Sequence, residues 1–165
     1  ETFGIEDLAA SPRKTTHWDG VRNFQARNFM RDGMRKGDLA FFYHSNCDEP
    51  AIVGIVKIAK EAYPDSTAFD RTDKHYDADS DATNPRWYMV DVQLQRKLKK
   101  PITLEMLREY GNDALRGMLL LTRGNRLSVT PVSATASQSF GLWTVIVPET
   151  VQPPSVNPVS RAETV

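Results

Sequence analysis

Cysteine is almost absent from this 165-residue chain, and its single instance, Cys47, excludes an internal disulfide. Such sparing use fits a reducing, intracellular setting, where a lone thiol is more often inert than nucleophilic. No apolar run approaches the roughly 20 residues needed to span a bilayer, so no membrane partner is expected. No basic, then apolar, then small-residue pattern opens the sequence, so no secretory leader is expected either. Net charge is missing too: 21 Lys and Arg balance 21 Asp and Glu. That balance argues against indiscriminate binding to nucleic acid. Catalytic signatures are also lacking, with no P-loop, dinucleotide fingerprint, G-x-S-x-G or H-E-x-x-H. His17, His44 and His75 have no metal-ligand spacing, and Cys47 completes no zinc site. A His44–Asp or His17–Cys47 pair could serve as acid and base, but nothing local supports either. No catalytic residue, metal or cofactor is therefore expected.

What is present suits one globular domain, with 40% apolar and 25% charged residues. The charge is segregated. Residues 13–36 carry seven bases against two acids, and residues 95–126 carry eight against three, so each segment is +5. Between them, residues 61–91 hold eight acids against three bases, or −5. Two basic segments meeting in space would make a phosphate-facing surface; solvated faces without a partner explain the charge equally well.

Along the chain, "TFGIEDLAAS" (2–11) reads as a short helix led by Thr2, with Ile5, Leu8 and Ala9 on one face. Asp19 is a candidate N-cap for a helix with Val21, Phe24 and Phe29 inward, closed by Asp32-Gly33. Residues 39–45, "LAFFYHS", and 51–63, "AIVGIVKIAKEAY", are rich in branched and aromatic residues and read as strands. Residues 64–86 form a polar excursion read as a solvated loop. Its alternate Asp77, Asp79 and Asp81 fail as a calcium loop, because Ala82 and Tyr88 stand where Gly and Glu are needed. "WYMVDVQLQRKL" (87–98) alternates as a strand, Thr103 precedes a helix, and residues 117–132 end in a last strand. No internal repeat is visible. Strands broken by irregularly placed short helices predict an α+β fold, a mixed β-barrel of five or six strands with peripheral helices.

Several side chains suit a flat polar aromatic ligand. Trp18 and Phe42 or Tyr43 offer π-faces, and Asn23 donates and accepts at once, as a base edge requires. His44 and Ser45 add polar groups, and nearby arginines could hold phosphates. Stacking a base on an aromatic ring is worth about 1–3 kcal/mol. The plainer reading, with Trp18, Phe24 and Phe29 as core, stays open at this point.

The segments "THWDGVRNFQARNFMR", "KGDLAFFYHSN", "GIVKIAKEAYPD", "NPRWYMVDVQLQRKLKKPITLEML" and "GNRLSVTPV" closely resemble the EVE domain, a PUA-like family. The resemblance runs from about Phe3 to Val132. It implies a PUA-like barrel and a non-enzymatic reader of modified bases, chiefly modified cytosine in DNA, with a flipped base in a pocket. Carried over by position, the pocket comprises Trp18, Val21, Arg22, Asn23 and Gln25, then Phe42, Tyr43, His44 and Ser45, then Arg126, Leu127 and Ser128. The opening segment would be both helix and pocket wall, with Trp18 to Asn23 at the rim. Expected phosphate contacts are Arg27, Arg31, Lys36, Lys97, Lys99 and Lys100.

The implied partner is nucleic acid, DNA before RNA, bound by a monomer, in the nucleus of a eukaryotic cell or the cytoplasm of a bacterial one. Family members carry an apolar strand and a K-S-E-P-like turn ahead of T-F-G-I-E-D-L, whereas this chain starts at Glu1. "LWTVIV" (142–147) is expected to pair in that slot. The domain plan is thus 1–132 for the EVE domain, 133–147 for a divergent segment that adds a strand, and 148–165 for a flexible proline-rich tail. Two other readings are weighed: an RNA- or nucleotide-processing hydrolase of the PUA-like ASCH kind, and a protein-interaction module using the tail and acidic loop.

Overall fold

In the computed structural model, residues 3–125, 127–132 and the backbone of 144–146 are described. Thr2, Arg126, most of the 133–147 segment and the 148–165 tail lie outside them. The elements in chain order are α1 (Ile5–Ala10), β1 (Thr15–Trp18), α2 (Phe24–Asn28), β2 (Leu39–His44), β3 (Ala51–Pro64), β4 (Tyr88–Thr103), α3 (Leu104–Glu109), β5 (Val129–Pro131) and β6 (Thr144–Ile146). Short 3₁₀ turns stand at Pro12–Lys14, Ser66–Ala68 and Leu119–Leu121, and a π-helical turn at Phe29–Gly33 follows α2.

The six strands form one sheet in the order β1-β4-β3-β2-β6-β5. All neighbours are antiparallel except β2 and β6, which run parallel through Ala40↔Thr144 and Phe42↔Ile146. The fold is therefore α+β with a mixed sheet and short peripheral helices, as expected. Strand β2 explains why the sheet is central: Ala40 to Tyr43 are all buried. Its period of two sends Ala40 and Phe42 to one core and Phe41 and Tyr43 to another. The first core joins Ile5 and Leu8 of α1, Met30 and Met34 beyond α2, and strand residues from Trp18 at one end of the sheet to Val129 at the other. The two end strands thus pack over one interior. Register shifts along β3 and β4 mark bulges, which bend and twist the sheet toward that closure. The second core gathers Leu107, Leu115, Met118 and Val132 on the opposite face.

Three local expectations are corrected. The cap of α1 is Gly4, whose N–H donates to Asp7 Oδ2 at 2.7 Å. The cap of α2 is Asn23, not Asp19: its Oδ1 accepts from the N–H groups of Gln25 (2.8 Å) and Ala26 (3.1 Å), satisfying two amides that the first turn leaves free. Phe24 points outward, 50% exposed, and stacks on Trp87 with centroids 4.9 Å apart. Ala26 takes the inward place instead, because the helix starts four residues later than Asp19 would start it. Thr103 does cap α3, accepting from Met106 N–H at 3.2 Å.

Candidate nucleic-acid interface

The residues nominated from the first motif take different places in the fold. Trp18 is 1% exposed and meets Phe42 edge to face, centroids 5.7 Å apart, inside the first core. Neither ring offers a free face, so the plain-core reading holds for Trp18, and the rim placement is corrected. A large aromatic on the inward side of a strand follows the strongest burial gain available there. Val21 is also buried, while Asn23 and Gln25 are exposed around the start of α2.

Arg22 serves a different purpose. Its Nη1 donates to Asp65 Oδ2 at 2.7 Å, and its Nη2 to Thr67 Oγ1 at 3.1 Å and the His75 carbonyl at 2.5 Å. Asp65, 0% exposed, also accepts from Gly20 N–H at 3.0 Å. Burial alone would raise that carboxyl, but Arg22, Thr67 and Gly20 outweigh it and hold it below its usual range. Gly20 has φ +72°, and a Cβ there would lie 2.6 Å from the His75 ring, so only glycine lets the two segments approach. Asp77 accepts from Trp87 Nε1–H at 2.5 Å, and Arg27 donates to the Arg86 carbonyl. The polar excursion of 64–86 is thus pinned to the motif and not simply solvated. Its acids answer local donors within the chain.

His44 is likewise engaged. Its Nε2 accepts the Ile5 N–H at 3.1 Å, which requires a neutral ring. Burial lowers its pKa, against the pull of Asp7 and Glu6. His17 behaves oppositely: its bond to Asp19, 3.1 Å away, raises its pKa despite burial. The signs can be worked out. A lowered folded pKa costs His44 its contribution as pH falls below 6.5, and a raised one costs His17 its contribution as pH rises above 6.5. The two histidines together should therefore give a shallow stability maximum near pH 6.5. Urea midpoints across about pH 5–8 test this. His44→Gln should flatten the acid limb and His17→Gln the alkaline one; unchanged limbs would contradict the assignment.

A sizeable cleft lies elsewhere. An open cavity of about 820 Å³ is bounded by Tyr43 and Ser45 past the end of β2, Leu104 and Arg108 of α3, and residues 120–125, 127 and 128. It falls within the range of about 300–1,000 Å³ usual for small-ligand sites. Four of the nominated residues, Tyr43, Ser45, Leu127 and Ser128, come together here. Arg126 falls between two lining residues but lies outside the described set. Leu104, Arg108, Thr122, Arg123 and Asn125 were not nominated, although Arg108 and Arg123 had been counted in the basic segment 95–126. Burial raises the Tyr43 hydroxyl pKa, and the Arg108 guanidinium draws it partly back. Hydroxyls of Ser45, Thr122 and Ser128 can each donate and accept, beside an apolar wall of Leu104, Leu120, Leu121 and Leu127.

The nominated phosphate contacts divide. Arg31 is held by Asp32 at 2.8 Å and Lys97 by Glu6 at 2.7 Å, and Arg27 is spent on Asn28 and the Arg86 carbonyl. Lys36, Lys99 and Lys100 are exposed.

The model of the EVE domain matches residues 1–139. This chain belongs to the EVE domain family. It is 56% identical over 138 residues to thymocyte nuclear protein 1 of Danio rerio, covering 80% of this chain and 59% of that one. The Homo sapiens protein of the same name is 53% identical over 137 residues, covering 79% and 60%. The chain therefore spans about three-fifths of the length of these curated relatives. Among solved structures, the human THYN1 protein in complex with 5-methylcytosine-containing DNA superposes with a TM-score of 0.78 at 50% identity, covering 84% of this chain and 83% of that chain.

Proposed function

We propose that this EVE domain reads modified cytosine in DNA, holding a flipped base in the cleft between the end of β2, α3 and residues 120–125, 127 and 128. The observation that carries this is the cleft's lining: four hydroxyl side chains, of Tyr43, Ser45, Thr122 and Ser128, beside four leucines. Hydroxyls suit the mixed donor and acceptor edge of a pyrimidine, and leucines suit a substituent such as a 5-methyl group. The 50% identity to a human protein solved with 5-methylcytosine-containing DNA supports the choice of base and of DNA before RNA. The domain acts as a monomer and without chemistry, in the nucleus of a eukaryotic cell or the cytoplasm of a bacterial one.

The hydrolase reading has less support. It needs a base for water, yet none of the three histidines lines the cleft, and His44 spends its acceptor nitrogen on Ile5.

Fluorescence anisotropy with matched duplexes carrying cytosine or its methyl, hydroxymethyl, formyl or carboxyl derivative tests the reading. One modified base should be preferred, and Ser45→Ala or Ser128→Ala should cut affinity for it about fivefold, the worth of one hydrogen bond of ~1 kcal/mol. Equal binding to all five duplexes would sink it.

A further inference from the structure

We infer that Arg108 and Arg123 grip the phosphates flanking the base held in the cleft, so that the domain takes a nucleotide within a DNA strand and not a free base or nucleoside. This rests on the reading of the cleft as a base pocket. Both arginines line the cleft and both are exposed. Neither side chain has a hydrogen bond or ion pair among the described residues, unlike those of Arg27, Arg31 and Lys97. No acid is among the lining residues, so the described wall carries two positive charges and no negative one.

The two cations stand on separate, braced supports. Arg123 occupies a corner of the turn Thr122–Asn125, closed by Asn125 N–H donating to the Thr122 carbonyl at 3.2 Å. Gly124, φ +78°, supplies the backbone conformation that such a turn needs. The Asn125 side chain ties the turn on both sides, donating to the Leu119 carbonyl (2.9 Å) and accepting from Leu127 N–H (3.1 Å). Arg108 rides on α3, anchored beneath by buried Leu107 and capped by Thr103. Backbone supports fixed in advance leave less freedom to be lost on binding, and the planar guanidinium fork matches a phosphate bidentately. A base lodged between them in its strand presents one phosphate on its 5′ side and one on its 3′ side.

The test is the salt dependence of binding to a duplex with one 5-methylcytosine. Arg108→Gln and Arg123→Gln should each lower the slope of log K against log salt by about 0.9, and the double variant by about 1.8, with the preference for the methylated base retained. Arg→Lys at either position should keep the slope, and Arg71→Gln, which removes a charge from the 64–86 loop, should leave it unchanged. In competition, 5-methyl-2′-deoxycytidine should fail to displace the duplex where a short methylated oligonucleotide succeeds. A double Gln variant with the parental slope, or a nucleoside that competes as well as the oligonucleotide, overturns the clamp and leaves base reading intact. Loss of methyl preference in the unaltered protein strikes at the reading of the cleft instead, and shows in the affinity ratio, not the slope. Absence of any salt-dependent binding overturns both.

Discussion

Trp18→Ala is expected to cost about 3–5 kcal/mol of folding stability, the range for deleting a large aromatic from a packed core. Trp18 is 1% exposed, pairs with Val90 across β1 and β4, and abuts Phe42 within the first core. Its removal empties the place where the edge of the sheet meets the interior shared by α1 and α2. Urea unfolding measures the loss directly. Trp18→Phe, which keeps an aromatic ring, should recover much of it and bind methylated DNA with undiminished preference. A stable Trp18→Ala variant that had lost only base preference would instead put the indole at a binding surface.

The second large effect concerns Arg22 and Asp65. Arg22→Met leaves a fully buried carboxylate without its cation, and breaking such a pair from one side costs about 3–5 kcal/mol. The pH dependence should change with it. In the unaltered protein the Asp65 carboxyl is held below its ordinary value of 3.8, so its contribution is present above that pH and is lost as pH falls through the lowered value. Without Arg22, burial is opposed only by Thr67 and Gly20, so the carboxyl moves up from its parental position and less of its contribution should remain at neutral pH. Asp65→Asn in the Arg22→Met background removes the stranded charge while keeping an acceptor for Gly20 N–H, and should restore part of the loss at neutral pH. Calorimetry from about pH 3 to 7 separates these outcomes, and a variant within 1 kcal/mol of the parent would show the pair to be incidental.

The consequence would reach beyond stability. Asp65 and Arg22 hold the 64–86 excursion against the Trp18–Asn23 segment, through Gly20, Thr67 and the His75 carbonyl. Limited proteolysis of Arg22→Met should therefore cut first within 64–86.

Some of this was legible in the residues. The branched and aromatic content of 39–45 and 51–63 and the alternation of 87–98 marked three strands, because such side chains pack well on a pleated surface and a period of two puts them on both faces. Thr103 announced α3 by its hydroxyl. The motifs W-D-G-V-R-N and F-F-Y-H-S carried the family. Asn23 was passed over as the cap of α2 because a residue that can pair with a base edge can equally cap a helix, and its chemistry alone does not say which.

The sequence by itself thus determined the strand pattern, the family and the concentration of positive charge in 13–36 and 95–126. Only the tertiary structure decided how deep each side chain lies and which distant segments meet. Trp18 and Phe24 are both aromatics of one motif, yet one is sealed in the core and the other half exposed, since burial depends on what the rest of the sheet lays over each. Arg22 reaches Asp65 across 43 positions, and Tyr43 shares a cleft with Arg108, Arg123 and Ser128. No local period encodes such meetings; they arise when bulged strands curl the sheet around its two cores and bring the end of β2, α3 and residues 120–125, 127 and 128 to one side.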